Sequence, residues 1–144
     1  NILIDYPSFE EEKDIVKANT TSTKQDLQNI ITKEDLIDFQ KLVMDIPIAD
    51  NVIEYAVNLS HSTRPINKCP EITKKYIEWG AGPRSSSFLV LAAKAGAILK
   101  GEPTPNIDDI KKIAKPVLRH RIILNFNAEA EGIKTDDILD QLIN

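Results

Sequence analysis

The sequence predicts an all-α fold: a small helical bundle with a short strand remnant and a linker at its amino-terminal end. Apolar residues recur at spacings of three and four along most of the chain, which is the period of a helix with one buried side. Ser, Thr, Asn and Asp precede these runs as helix caps. The 144 residues are 42% hydrophobic and 28% charged, a composition typical of one globular domain with a substantial core.

The amino-terminal part predicts a strand, a helix and a linker. Ile2-Leu3-Ile4 has the apolar, β-branched character of a short buried strand, and such an opening suggests a fragment of a longer protein. Ser8 and Glu11 have the spacing of a capping box, which predicts a helix from about Phe9 to Lys17. The polar residues from Ala18 to Ile31 have no helical period and predict a linker.

Three helices are predicted in the middle of the chain. Thr32 and Asp50 are plausible caps of the first two helices. Pro70 begins a third, which carries Tyr76 and Trp79 on one side and is closed by Gly80. The apolar positions on which the first two assignments depend are Leu36, Phe39, Val43, Ile46, Val52, Ala56 and Leu59.

The most apolar run is expected to form the central helix, ending at Lys100 and Gly101. Asn106 caps the next helix, and Pro116 is expected to break it near Lys115, because an interior proline costs about 3 kcal/mol. Thr135 opens a last helix. The positions expected on the buried stripe of the central helix are Phe88, Leu91, Ala92, Ala95, Ile98 and Leu99, and those of the last helix are Ile138, Leu139 and Leu142.

Charge and cysteine content exclude several classes of function. A net charge of −4 argues against a broad binding surface for nucleic acid or for an anionic membrane. No apolar run approaches the roughly 20 residues that span a bilayer, so no membrane insertion is expected. The single cysteine, Cys69, cannot form an internal disulfide, and a cytoplasmic location therefore fits the sequence.

The sequence lacks the usual signatures of a metal site or a phosphate-binding loop. The loop pattern G-x-x-x-x-G-K-[ST] needs a glycine before a lysine, whereas Lys100-Gly101 has the opposite order. No metal site is expected, because His61, Cys69 and His120 are scattered, and zinc ligands usually come in short-spaced pairs. Two acidic pairs fit the first turns of helices: Asp108-Asp109 and Asp136-Asp137.

The basic cluster Arg119-His120-Arg121 follows Pro116 and has two interpretations. It could belong to a recognition helix for DNA, or its long side chains could lie along the bundle surface with their charges in water. The acidic balance of the chain favours the second interpretation, because neutralising a phosphate backbone requires several cationic contacts.

The stretch from Gly80 to Ser87, GAGPRSSS, places an arginine at the start of the central helix. Gly82 and Pro83 suit the N-cap and N1 positions, which leaves Arg84 at N2, where free N–H groups favour an anion. A cation there is otherwise a liability of about 0.3 to 1 kcal/mol. An arginine that grips phosphate and a surface arginine paired with a carboxylate are equally favoured by these residues alone.

Five segments, in order, resemble the C-terminal helical lid of MoxR-family AAA+ ATPases. The third segment is similar to the family's G-A-S-P-R, and the last matches its V-L-x-H-R. The resemblance divides the chain into the end of a core-domain strand and hinge (1–8), a linking helix and linker (9–33) and the lid domain (34–144). The segments are Asp5-Tyr6-Pro7-Ser8 with Glu10-Glu11-Glu12, Thr63-Arg64, Gly80-Ala81-Gly82-Pro83-Arg84, Ala92-Ala93-Lys94-Ala95 with Gly101, and Val117-Leu118-Arg119-His120-Arg121.

This resemblance implies that Arg84 is the sensor 2 arginine, a catalytic residue that acts on the γ-phosphate of ATP held by an absent core domain. Tyr6 and Pro7 are the further nucleotide-binding residues implied, at the hinge near the adenine. The parent would use ATP and Mg²⁺, assemble as a ring, often a hexamer, and remodel partner proteins as a chaperone does. The implied partners are its own core domain, neighbouring subunits, and clients with von Willebrand A domains or metal centres.

The chain departs from the family pattern at a few positions. Gly82 replaces a serine, Ser85-Ser86 replace more apolar residues, and Glu102 stands where the family often has arginine. Without the phosphate loop and the metal-binding acids, the fragment itself is not expected to hydrolyse ATP. The alternative is a stand-alone helical interaction module, which would dock a partner helix through the stripe around Phe88 and through Trp79.

Overall fold

The computed structural model describes residues 2–21, 28–66 and 68–144. In these residues the protein is helical with a two-stranded antiparallel sheet, as the sequence predicts for the fold class. The elements are α1 (Phe9–Thr20), α2 (Lys33–Asp45), α3 (Asp50–Ser62), α4 (Glu71–Tyr76), β1 (Ile77–Trp79), α5 (Arg84–Lys100), α6 (Ile107–Leu118), a 3₁₀ turn (Arg119–Arg121), β2 (Ile123–Leu124), α7 (Phe126–Glu131) and α8 (Thr135–Ile143).

Capping boxes begin the first two helices: the box at Ser8 is predicted from the sequence, and at Thr32 the sequence predicts the cap alone. In α1 the Glu11 N–H donates to the Ser8 hydroxyl, and the Ser8 N–H donates to the Glu11 carboxylate at 2.8 Å. Thr32 and Asp35 form the same pair at the start of α2. Helix α1 extends to Thr20, into the predicted linker, and residues 22–27 of that linker lie outside the described residues. Neither helix buries a residue.

The strand predicted at Ile2-Leu3-Ile4 does not form. Residues 2–8 adopt neither helix nor strand, and Ile2 and Ile4 are 90% and 86% exposed. A strand needs a neighbour to satisfy its N–H and C=O groups, and the sheet of the described residues pairs β1 only with β2. The apolar character of these residues therefore does not produce burial in this chain.

Helix α5 is the centre of the bundle, as predicted, and packs against α2, α3 and α6. The core forms from α3, β1, the loop before α5, α5, α6, the segment before β2, and α8, because each of these segments turns its small or branched apolar residues inward. The buried residues of this core are Val52, Ala56, Leu59, Ile77, Ala81, Leu89, Ala93, Ile110, Ala114, Leu118, Ile122, Ile138 and Leu139.

The buried stripe of α5 differs from the predicted one. Ser85, Leu89, Ala93 and Ala97 are fully buried at a spacing of four, whereas the predicted positions Phe88 and Leu99 are 44% and 89% exposed. Apolar residues lie on almost every side of this helix, so the sequence alone does not single out the buried side. The Gly101 cap is confirmed, with φ +72° and its N–H donating to the carbonyls of the last turn.

The predicted helix through Trp79 ends early and becomes a strand. Helix α4 stops at Tyr76, and β1 pairs with β2 so that Ile77 lies opposite Leu124 and Trp79 opposite Ile123. Trp79 is 69% exposed. The prediction was wrong because β1 forms only by pairing with β2, which lies more than forty residues further along the chain. A short segment of this kind has no local signal that separates a helix end from a strand.

The break predicted at Pro116 is also absent. Helix α6 continues through this proline to Leu118 and gives way to the 3₁₀ turn only at Arg119. Ile110, Ala114 and Leu118 form one buried row across the proline. Burying a leucine side chain contributes about 1.5 to 3 kcal/mol, which offsets most of the cost of an interior proline.

Polar contacts fix the helix ends of the bundle. Lys100, at the end of α5, bonds to the buried carboxylate of Asp109, which also accepts from the Asn106 N–H at 2.9 Å. Burial raises the pKa of the Asp109 carboxyl, but these hydrogen bonds outweigh burial and hold that pKa below its ordinary value. The Tyr55 hydroxyl donates to the Ile143 carbonyl at 3.1 Å and connects α3 to α8.

Candidate functional site

Arg84 lies at the first turn of α5 with its side chain exposed. Pro83 already has helical dihedral angles (φ −57°, ψ −33°), and the Ser85 N–H donates to the Gly82 carbonyl at 3.0 Å. The predicted order of glycine cap, proline and arginine therefore holds to within one residue. This helix start has neither a side-chain cap nor an acidic residue in its first turn.

The guanidinium of Arg84 forms no hydrogen bond or ion pair with any residue in the part of the chain that the structure describes. The sequence left open a surface Arg84 paired with a carboxylate, and the described residues contain no such pair. Binding of an anion by Arg84 stays a prediction. An exposed guanidinium beside the free N–H groups of a helix start is chemically suited to phosphate oxygens. The donor set therefore fits a phosphate ligand.

The backbone just before this helix is fixed by Thr63, which is fully buried after the end of α3. Its hydroxyl donates to the Ser60 carbonyl at 2.7 Å and accepts from the Ala81 N–H at 2.9 Å. A threonine hydroxyl has one proton to donate, so this side chain uses its donor inside α3 and its acceptor on the segment before α5.

Arg64 completes the attachment from the same loop. Its Nε donates to the Ala81 carbonyl at 2.8 Å, while its terminal nitrogen lies 3.1 Å from the His61 ring. Both main-chain groups of Ala81 are therefore bound by consecutive residues, Thr63 and Arg64. We call this arrangement the Thr63–Arg64 clamp. The family resemblance includes Thr63-Arg64, but the sequence alone does not show which residue these two side chains contact.

Gly80 allows the clamp to close. A Cβ built on this residue would lie 2.3 Å from the Thr63 carbonyl oxygen and 2.6 Å from the Arg64 Cα. Gly80 does not have a positive φ, so its requirement is close backbone approach rather than the left-handed cap that the sequence predicts. At Gly82, by contrast, a Cβ would meet nothing within 4 Å.

An open groove of about 500 Å³ lies along the clamp and leads to the start of α5. Its apolar wall includes Trp79, and Arg64 contributes a cation. Its lining includes Gly82 and Pro83, the two residues that precede Arg84. Its lining is Arg64, Pro65, Ile66, Glu78, Trp79, Gly80, Ala81, Gly82 and Pro83.

Tyr6 and Pro7 lie apart from this groove. Tyr6 is 100% exposed, and both residues line a shallow surface depression with α1 residues such as Glu11 and Asp14. Over residues 2–21, 28–66 and 68–144, no hydrogen bond or ion pair connects Tyr6 or Pro7 to Arg84. The structure does not bring the three predicted nucleotide-binding residues into one site.

Two residues of the basic cluster are engaged within the bundle. Arg119 donates to both carboxylate oxygens of Asp136, at 2.7 and 2.6 Å, and this hydrogen bonding lowers the pKa of the Asp136 carboxyl. Arg121 donates to the Val117 carbonyl at 3.0 Å and lies 4.8 Å from the centre of the Phe88 ring. These contacts support the surface interpretation of the cluster over DNA recognition.

Neither a membrane span nor a metal centre is found in the described part of the chain. None of its helices is both long enough and apolar enough to traverse a bilayer. No three His, Cys, Asp or Glu side chains among its residues gather as a metal ion would require.

Comparison with known proteins connects this fold to one family. Residues 70–142 match the model of the AAA lid domain. The chain is 32% identical over 140 residues to the uncharacterised protein YeaC of Bacillus subtilis, and 27% identical over 143 residues to chaperone MoxR1 of Mycobacterium tuberculosis. A crystal structure of an ATPase candidate from Cytophaga hutchinsonii superposes with a TM-score of 0.80 at 30% identity.

The chain corresponds to only part of each of these proteins. The matches cover 96% and 99% of this chain, but 41% of YeaC and 38% of MoxR1. In the crystal structure the match covers 97% of this chain and 43% of the other. The chain therefore spans about two fifths of the length of the relatives that it matches.

Proposed function

The chain belongs to the AAA lid domain family, and we propose that it is the lid of a MoxR-like AAA+ ATPase in which Arg84 is the sensor 2 arginine. The lid region would be residues 34–144, joined through residues 9–33 to a core-domain end at residues 1–8. In this proposal ATP and Mg²⁺ bind to the core domain of the longer protein. Arg84 would approach the phosphates from the lid.

One observation carries the proposal: Arg84 is exposed at the start of α5 and has no partner among the described residues. A guanidinium held there places positive charge where a phosphoryl group gains negative charge during transfer. The adjacent helix N–H groups contribute partial positive charge in the same direction. Tyr6 and Pro7 are proposed to contact the adenine from the hinge, which would require the missing core domain.

The wider role follows from the similarity to chaperone MoxR1. We propose that the intact protein assembles as a ring, often a hexamer, and couples ATP hydrolysis to the remodelling of client proteins in the cytoplasm. The clients expected are proteins with von Willebrand A domains or metal centres. Within this role the lid transmits the state of the nucleotide to the angle between lid and core.

The test is ATP turnover by the full-length protein carrying Arg84→Ala. Turnover is expected to fall at least about tenfold, since removing one charge-stabilising donor typically costs more than that. Lys33→Ala is the matched control, because Lys33 is another exposed cation at the first position of a helix. Circular dichroism should show an unchanged fold for both variants. Normal turnover in Arg84→Ala would refute the sensor role.

The same experiment addresses the alternative function. Trp79 is 69% exposed and lies beside Ile123, 60% exposed, on the β1–β2 ladder, an apolar surface on which a partner helix could pack. A stand-alone interaction module would not need Arg84. An absence of ATP turnover in the unaltered full-length protein, together with an intact fold, would favour this alternative.

A further inference from the structure

We propose that Thr63 and Arg64 are positioning residues that aim Arg84 by holding the backbone from which its helix starts. This inference rests on the proposed function and adds to it the part of the lid that sets the direction of the arginine. It depends on two hydrogen bonds of one main-chain unit, Ala81, and on the close approach of Gly80.

The first step concerns how completely Ala81 is held. Its N–H is bonded to the Thr63 hydroxyl and its C=O to the Arg64 Nε, at 2.9 and 2.8 Å. Ala81 is itself fully buried. A peptide segment bound through both its donor and its acceptor cannot rotate without breaking these hydrogen bonds and leaving their polar groups unpaired.

The second step concerns the distance from Ala81 to Arg84. Only Gly82 and Pro83 separate them, and the ring of Pro83 fixes its own φ near −57°. The Ser85 N–H bond to the Gly82 carbonyl closes the first turn across these residues. A fixed Ala81 therefore sets the starting point and direction of α5.

The third step concerns what α5 lacks at this end. It begins without a side-chain cap and without an acidic residue in its first turn, unlike α1, α2 and α6, whose N-caps form capping boxes. Helix α5 therefore lacks the capping box that fixes the first turn of those helices. The Thr63–Arg64 clamp holds this helix start instead. It acts from a loop earlier in the chain, since its hydrogen-bonded partners are 17 and 18 residues apart.

The experiment uses the full-length protein and four substitutions. Thr63→Val keeps the branched shape but removes the hydroxyl, and Thr63→Ser restores it. Arg64→Met removes the Nε donor from a half-exposed side chain, and so tests the clamp even where Thr63→Val fails to fold. Arg84→Ala is combined with each. Circular dichroism and urea unfolding select conditions under which every variant is folded.

The expected result is a loss that depends on Arg84. Thr63→Val and Arg64→Met should each lower kcat for ATP by roughly fivefold or more, since a displacement of about 1 Å can cost far more than that. They should change KM in the same direction as Arg84→Ala does. Thr63→Ser should keep most of the turnover. In the Arg84→Ala background, Thr63→Val and Arg64→Met should cause no further loss.

Each other outcome has a distinct meaning. If Thr63→Val and Arg64→Met lower turnover equally with and without Arg84, these residues support the fold alone, and the inference is overturned. If Arg84→Ala lowers turnover and neither clamp variant does, the inference fails while the proposed function stands. If Arg84→Ala retains full turnover, the proposed function fails, and the positioning role fails with it.

Discussion

The first two helices and α5, the central helix of the bundle, are built in opposite ways. Helices α1 and α2 have complete capping boxes and acidic first turns, yet neither buries a residue. Helix α5 has no capping side chain, yet four of its residues are buried and its preceding backbone is bound from another loop. Strong local signals thus predict where a helix forms but not how firmly it is held.

The difference matters for function, because the candidate site lies in the region with weaker local signals. Arg84 depends on long-range contacts for its position, whereas the caps of α1 and α2 act within four residues. Helix α2 is attached near its end through Lys94, which donates to the Met44 carbonyl at 3.2 Å. The three predictions that follow compare the two regions, from the largest expected effect to the smallest.

The largest difference is expected between two leucine truncations. Leu89→Ala in α5 removes a fully buried side chain and should lower the free energy of unfolding by about 3 kcal/mol. Leu36→Ala in α2 truncates a side chain that is 48% exposed and should cost less than about 1 kcal/mol. Urea unfolding followed by the fluorescence of Trp79, the only tryptophan, measures both. Equal losses would show that α2 belongs to the cooperative core.

A smaller difference is expected between two glycines of the same loop. Gly80→Ala should destabilise the bundle by about 2 kcal/mol, because its Cβ would collide with the backbone of Thr63. Gly82→Ala is the control, since its Cβ meets open space, and it should change stability by less than about 0.5 kcal/mol. A neutral Gly80→Ala in thermal unfolding would mean that the loop relaxes without loss.

The smallest effect concerns two aspartates with lowered pKa values. Arg119 lowers the pKa of Asp136 in the bundle, and the Thr32 hydroxyl and N–H lower that of Asp35 in α2. A lowered folded-state pKa means that the stabilisation is present above the ordinary carboxyl pKa and is lost as the pH falls through the folded value. The stabilisation from the Asp136 pair should therefore begin to fall below about pH 4 and decline further as the pH is lowered.

The measurement is urea unfolding at pH 7 and pH 3 for Asp136→Asn and Asp35→Asn. In unfolding followed by Trp79 fluorescence, Asp136→Asn should be less stable than the natural chain at pH 7. It should also lose less stability than the natural chain between pH 7 and pH 3. Asp35→Asn should leave that signal unchanged and lower only the helical circular dichroism. A change of the Trp79 transition in Asp35→Asn would contradict the separation of the two regions.

The sequence predicted those parts of the fold that depend on neighbouring residues. The capping box at Ser8, the caps at Thr32 and Asn106 and the Gly101 terminus need only positions within one turn, and all four are confirmed. The same applies to the order of residues around Arg84. Each of these features is decided by contacts that the local chain makes with itself.

Several of the errors involve partners distant in the chain. The strand at Trp79 depends on Ile123, the continuity of α6 at Pro116 depends on the burial of Leu118, and the strand at Ile2 has no neighbour in the described residues. Helix α7 and its Gly132 cap were not predicted, because six residues carry too little periodicity. The roles of Thr63 and Arg64 were likewise hidden, since both act on Ala81.

Because Thr63 and Arg64 bind main-chain atoms, they make no demand on the chemistry of the side chain at position 81. Evolution can exchange that residue for another small one, such as serine or cysteine, while the hold on the loop persists. Position 80 accepts only glycine, since every other amino acid adds a Cβ where the backbone of Thr63 and Arg64 approaches. A saturation library over the loop should therefore retain several small residues at position 81 and only glycine at position 80.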